Sequence, residues 1–83
     1  DELSIQERLE GEELQQMIAE EIGNLPEKFK AVITLFYVQE MSYEEIVSVL
    51  GSPIGTVKTN LFRARSMLRE RLLVRLKGEM KVA

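Results

Sequence analysis

Residues 41–71, MSYEEIVSVLGSPIGTVKTNLFRARSMLRER, decide the fold. They read as two helices joined by a tight turn. Tyr43 to Leu50 is short and apolar on one side through Ile46, Val47 and Leu50. Gly51-Ser52-Pro53 breaks that pattern, and a longer, basic, amphipathic segment begins at Ile54. A short helix, a turn containing Gly and a second helix at a steep angle make a helix-turn-helix, a unit used to read the major groove.

The second helix carries the case. Ile54, Val57, Leu61, Ala64, Leu68 and Leu72 recur at spacings of three and four and form one stripe that must be buried. The opposite face holds Gly55, Thr59, Phe62, Arg63 and Ser66, with Lys58 and Arg69 on its flank. A solvated basic face is the plain alternative. The chemistry argues for more. Lys58 and Arg63 can donate to guanine edges or phosphates, Thr59 can donate or accept, and Phe62 can touch a thymine methyl. Folding gives no reason for an aromatic ring on the polar face. Gly55 in the first turn lowers helix stability by about 1 kcal/mol against Ala, and its small size lets the helix N-terminus approach a backbone or base closely.

Working outward, Ser42 is placed as N-cap of the first motif helix, and Ser42-x-x-Glu45 fits a capping box. The free N–H groups there, with Ser42 and Tyr43, form a candidate phosphate contact. Upstream, Leu25-Pro26 opens another helix with Pro26 at or near its first position. Phe29, Val32, Ile33, Phe36 and Tyr37 are expected to supply most of its large core groups, with Lys28 and Lys30 outward. Before it, residues 12–22 form a helix with an inner stripe of Leu14, Met17, Ile18 and Ile22. Glu12, Glu13, Glu20 and Glu21 are expected to face water, and Gly23-Asn24 to cap its end. Residues 1–11 are expected as a frayed or linker segment, although Ser4-x-x-Glu7 has capping-box form. Gly11 either ends that turn or sits inside a longer helix. Downstream, the second motif helix should run to about Arg75, with residues 77–83 as a C-terminal tail. Leu73, Val74 and Leu76 leave extra apolar surface near that end, a candidate partner contact.

Composition sets the bounds. The 83 residues allow one small all-α domain of four helices, occupying residues 12–76 with the helix-turn-helix at about 43–72. Cysteine and histidine are absent, which leaves no disulfide framework, no usual transition-metal ligands and no His- or Cys-based catalysis. No cofactor or small-molecule substrate is expected. The longest apolar run, residues 31–38 with Thr34 inside it, is too short to cross a bilayer, and without a signal peptide a cytoplasmic location is expected. A start at Asp1 suggests a piece of a longer chain.

The net charge of −3 by itself opposes binding to nucleic acid, but its distribution does not. Residues 1–41 hold ten acidic and three basic side chains, and residues 42–83 hold four acidic and eight basic, giving −7 and +4. Salt screens charges beyond roughly 8–10 Å, so DNA would feel mainly the nearer, basic half.

Residues 25–72 resemble region 4 of a bacterial RNA polymerase sigma factor of the extracytoplasmic-function (ECF) group. The matching pieces are Leu25-Pro26, Lys30, Val32, Leu35, Ser42-Tyr43, Glu45-Ile46, Leu50-Gly51 and Pro53. Gly55-Thr56-Val57-Lys58, Arg63-Ala64-Arg65 and Leu68-Arg69 follow. The resemblance implies recognition of the −35 promoter element in double-stranded DNA by the second helix, contact with the flap region of core RNA polymerase, and no catalytic activity. Lys58, Thr59, Phe62 and Arg63 are then the base-reading candidates, and Ser42, Tyr43, Thr56, Arg65 and Arg69 the phosphate-contacting ones. Leu73 and Leu76 become candidate contacts for polymerase or an anti-sigma factor. The chain departs from the family pattern at Val47, usually a small Ala, and at Ser52, usually Ile or Val. Asn60 stands where many members carry Arg, and Glu40 where Gly is frequent. The alternative reading is a helix-turn-helix output domain of the response-regulator type, which also opens its recognition helix with Thr-Val-Lys.

Overall fold

The Leu25-Pro26 pair divides the first two helices of the structure, a computed structural model that describes residues 2–82 and the side chains of residues 11–78. Helix α1 spans Glu2–Gly23 and α2 spans Glu27–Ile33. Proline restricts the residue before it to extended backbone, so α1 cannot continue through Leu25. Helix α1 does close at Gly23-Asn24 as expected, but Gly23 keeps negative φ, so the closure is not a left-handed glycine cap. Instead the Asn24 N–H donates to the carbonyls of Glu20 and Glu21, each at 3.2 Å, and Leu25 N–H donates to Ile22 at 3.1 Å. Pro26 is the N-cap of α2 rather than its first residue, at φ −55° and ψ 148°. Its carbonyl accepts from Phe29 at 3.0 Å and Lys30 at 2.9 Å.

Beyond Ile33 the helix widens into a π-helical turn, Thr34–Val38, closed by Gln39 N–H donating to Thr34 at 3.0 Å. This changes the side-chain phase. Phe29, Val32 and Ile33 point into the core, Phe36 is half-buried, and Tyr37 is 50% exposed. The three-and-four spacing placed Tyr37 inside because it assumed an unbroken α-helix. Glu40 then takes φ +54°, reversing the chain into helix α3, Tyr43–Leu50.

Both halves of the capping box form. Glu45 N–H donates to Ser42 Oγ at 3.1 Å, and Ser42 N–H donates to Glu45 Oε1 at 2.9 Å. Those bonds, the Ser42 backbone N–H first, hold the Glu45 carboxyl below its ordinary value. Gly51, at φ 67°, ends α3 with its N–H on the Val47 carbonyl at 2.8 Å. This left-handed position needs glycine. Helix α4, Ile54–Val82, starts immediately after Pro53, whose carbonyl accepts from Val57 at 3.1 Å.

The four-helix, all-α expectation holds, and the described residues contain no strand. The end segments differ. Helix α1 begins at Glu2, so the segment expected as frayed or linker is helical from that residue, with Ser4 and Gly11 inside the helix. Helix α4 continues to Val82 through the expected tail. Asp1 and Ala83 lie outside the described residues.

Leu25, Phe29, Val32, Ile33, Leu61 and Ala64 form the central cluster, with Ile22, Phe36, Tyr43, Met67 and Leu68 packed against it. Met17, Ile46 and Val57 are also buried. Full burial of each large aliphatic group contributes about 1.5–3 kcal/mol. Of the expected α4 stripe, Val57, Leu61 and Ala64 are buried, Leu68 and Leu72 are half-buried, and Ile54 at the helix start is exposed. Leu14 is likewise exposed, being one turn beyond Met17 on α1.

Glu20 and Glu21 do not simply face water. Arg75 donates to Glu20 at 2.7 Å and to Glu21 at 3.2 Å, while Arg71 lies 3.6 Å from Glu21. Both acids lie near the C-terminal end of α1, where negative charge opposes the helix dipole, and their pairing with arginine fastens α1 to α4.

Candidate nucleic-acid interface

With Val57, Leu61 and Ala64 turned inward, the geometry of α4 places Gly55, Thr56, Lys58, Thr59, Phe62, Arg63, Arg65, Ser66 and Arg69 on the exposed side. Phe62 is 70% exposed, the largest apolar group left open on the first turns of the helix. The polar-face placement of this ring follows directly from the register set at Leu61.

The electrostatics follow from sequence and packing together. Residues 51–69 contain no Asp or Glu, but four cations: Lys58, Arg63, Arg65 and Arg69. Further along α4, Arg71 and Arg75 turn toward Glu20 and Glu21 of α1. The helix thus divides its cations by turn. The early ones line solvent, and two of the later ones bind the fold's own acids.

The first turn of α4 leaves backbone N–H groups without intrahelical acceptors. A Cβ at Gly55 would meet nothing within 4 Å, so the chain's own packing does not demand glycine there. Ser42 and Tyr43 sit at the start of α3, and Lys58 Nζ lies 5.3 Å from the Tyr43 ring centroid, bringing the α3 start beside the exposed face of α4.

Arg65 is placed differently from the other cations. Its guanidinium lies over Tyr37 at 5.4 Å and Phe36 at 5.9 Å. Those rings belong to the π-helical turn. The N–H donors lie in the guanidinium plane, so stacking leaves them available. Sequence reading missed this contact because it placed Tyr37 in the core. The available signal was the seven-residue spacing of Lys58 and Arg65, which puts both on one side of the helix.

Leu73 and Leu76 lie on later turns of α4, 46% and 37% exposed, beside the more open Val74. Asn60 is half-buried and borders a cleft with Lys28, Ala31, Val32, Leu50, Ser52 and Val57. It therefore faces the α2 side rather than the exposed cations. Among the described residues no group of acids forms a metal-binding cluster, and no helix is long and apolar enough to cross a membrane.

These features define a helix-turn-helix domain with a cationic outer face. The family described as "Sigma-70, region 4" matches residues 15–68. The chain is 45% identical over 60 residues to the ECF RNA polymerase sigma factor SigW of Bacillus subtilis, covering 72% of this chain and 32% of that protein. It is 40% identical over 60 residues to the ECF RNA polymerase sigma-E factor of Haemophilus influenzae, with the same coverage. The Escherichia coli sigma-E factor is 42% identical over 57 residues, covering 69% of this chain and 30% of that protein. The chain belongs to the region 4 family of sigma factors, in the ECF group. It is a sigma-factor DNA-binding domain and spans about a third of the length of these relatives.

Proposed function

We propose that this domain recognises the −35 promoter element through α4 while its parent protein is bound to core RNA polymerase. The observation that carries the reading is the acid-free run of residues 51–69, whose exposed side on the first turns of α4 sets four cations around an open Phe62. Lys58, Thr59, Phe62 and Arg63 read bases on this view, since their types suit guanine edges and the thymine methyl. Ser42, Thr56, Arg65 and Arg69 hold phosphates and set the register, and Tyr43 adds the free backbone N–H of the first turn of α3 rather than its hydroxyl.

The test is a salt titration of the chain on a labelled duplex enriched from a randomised pool. Log affinity should fall linearly with log salt, by about 0.9 for each phosphate neutralised. Arg69→Ala should weaken binding to all duplexes and reduce that slope by about 1, whereas Arg63→Ala should relax preference at one base position. A flat salt response would overturn the reading.

A second contact is proposed at the far end of α4. Exposed Leu73, Val74 and Leu76 support a protein-binding surface there, for the flap region of polymerase when active and an anti-sigma factor when silenced. Replacing Leu73 and Leu76 with Ser should weaken both associations while leaving helical content unchanged. Unaltered affinity in a folded double variant would remove this part of the proposal.

A further inference from the structure

We propose that Tyr43 is a positioning residue for DNA binding, whose ring holds the Lys58 ammonium ready at the edge of the exposed α4 face. The inference rests on the DNA-binding role given above and adds how one contact is prepared. Lys58 Nζ lies 5.3 Å from the Tyr43 ring centroid, within the range of a cation–π attraction. Among the described residues no carboxylate lies within ion-pair distance of Lys58. The ring is its partner.

Tyr43 is itself held. Its ring stacks on Phe36, with centroids 5.3 Å apart and planes at 15°, and it packs against the central core cluster. Phe36 meets Tyr37 edge to face at 5.0 Å and 82°. Arg65 covers those two rings from the α4 side. Two cations seven residues apart on α4 thus rest on aromatic rings supplied by the π-helical turn and the start of α3. The capping box at Ser42, one residue before Tyr43, fixes the backbone that carries the ring.

The physical consequence is preorganisation. A free lysine side chain loses rotamer freedom when a phosphate or base fixes its ammonium, and that loss weakens binding. A ring beneath the ammonium removes part of the freedom beforehand and occupies at most one of its three N–H donors, leaving the others for a phosphate or base. The aromatic face is the active feature, so the phenolic hydroxyl is dispensable for this role. A direct Tyr43 hydroxyl–phosphate contact would give the opposite dependence.

The experiment uses the 83-residue chain and a short fluorescein-labelled duplex of mixed sequence at roughly 50 mM salt. Tyr43→Phe, which keeps the ring face and the backbone N–H, should lose much less affinity than Tyr43→Leu. Tyr43→Leu should weaken binding by about two- to fivefold, the range of an exposed cation–π contact. Lys58→Ala should weaken it further, and adding Tyr43→Leu to Lys58→Ala should change nothing more, because the two residues act as a unit. To keep the shape of the site, Tyr43 is also replaced by phenylalanines carrying increasing numbers of fluorines, which drain the negative ring face. Affinity should fall stepwise with fluorine count. Independently of DNA, the Lys58 ε-protons should resonate upfield in the parent and in Tyr43→Phe, and return to the usual position in Tyr43→Leu. Equal losses in Tyr43→Phe and Tyr43→Leu, additive effects in the double variant, or a flat fluorine series would overturn the positioning role alone. If the parent chain binds no duplex, the DNA-binding reading falls and the proposal falls with it.

Discussion

Leu61 and Phe62 are neighbours in sequence with opposite surroundings. Leu61 is fully enclosed by the central cluster and Phe62 stands in solvent. Leu61→Ala should therefore destabilise the domain by roughly 2–5 kcal/mol, measurable as a lowered denaturation midpoint. Phe62→Ala should change stability by no more than about 0.5 kcal/mol yet weaken duplex binding. Arg63→Ala should weaken specific binding by about 1–3 kcal/mol if the side chain meets a base edge. A second residue-scale case is Glu40. Its φ of +54° is left-handed, a conformation that disfavours a Cβ by about 1–2 kcal/mol. Glycine removes that strain but loses more backbone freedom on folding, offsetting about 0.5–1 kcal/mol of the gain. Glu40→Gly should thus raise the melting temperature slightly, and Glu40→Val should lower it. This position stands out in sequence as one where the family pattern often has Gly, and the backbone angle supplies the reason.

At the scale of elements, the helix-turn-helix was the most legible part because three separate signals coincide there. The Ser42–Glu45 box starts α3, Gly51 supplies the left-handed turn that ends it, and Pro53 immediately precedes α4. Each acts within a few residues, so local chemistry suffices to place it. The π-helical turn was not legible. Its widened hydrogen bonding depends on how residues 34–38 meet α3 and α4, and no local residue announces it. The outward placement of Tyr37 and the stacking of Arg65 both follow from that turn. The capping box gives a prediction with a definite sign. The Glu45 carboxyl is held below the ordinary 4.5 by the Ser42 N–H, and Glu20 is lowered by Arg75. The folded state thus binds these protons less readily than the unfolded chain. Their stabilisation is present above about 4.5 and is lost as pH falls through the lower folded values. Melting temperature should decline below that pH, and less steeply in Glu45→Gln. Ser42→Ala should remove about 0.5–2 kcal/mol at neutral pH.

At the scale of the whole molecule, the −7 and +4 halves are joined by a seam that sequence reading did not find. Pairing Glu20 and Glu21 with Arg71 and Arg75 requires knowing that α1 lies along the far part of α4, which periodicity alone does not provide. The Glu21 side chain is only 13% exposed, so salt screens its pairs less than it screens open surface charges. The seam also separates two uses of arginine on one helix. Arg69 and Arg75 are six residues apart, roughly 9 Å along the axis, about one Debye length at physiological salt. Charge changes at Arg75 should therefore act on the packing of α1 and little on the DNA-binding face. Arg75→Glu should speed amide hydrogen exchange along α1 and lower the melting temperature, because it places a third acid beside Glu20 and Glu21. Combining it with Glu20→Arg and Glu21→Arg should restore much of the protection, although Arg71 then faces a like charge. Duplex affinity at physiological salt should stay within about twofold in both variants. Slow exchange in α1 despite Arg75→Glu would show that apolar contacts through Met17 and Ile22 hold the helix without the ion pairs. A large loss of DNA binding would instead place Arg75 in the interface and redraw its boundary.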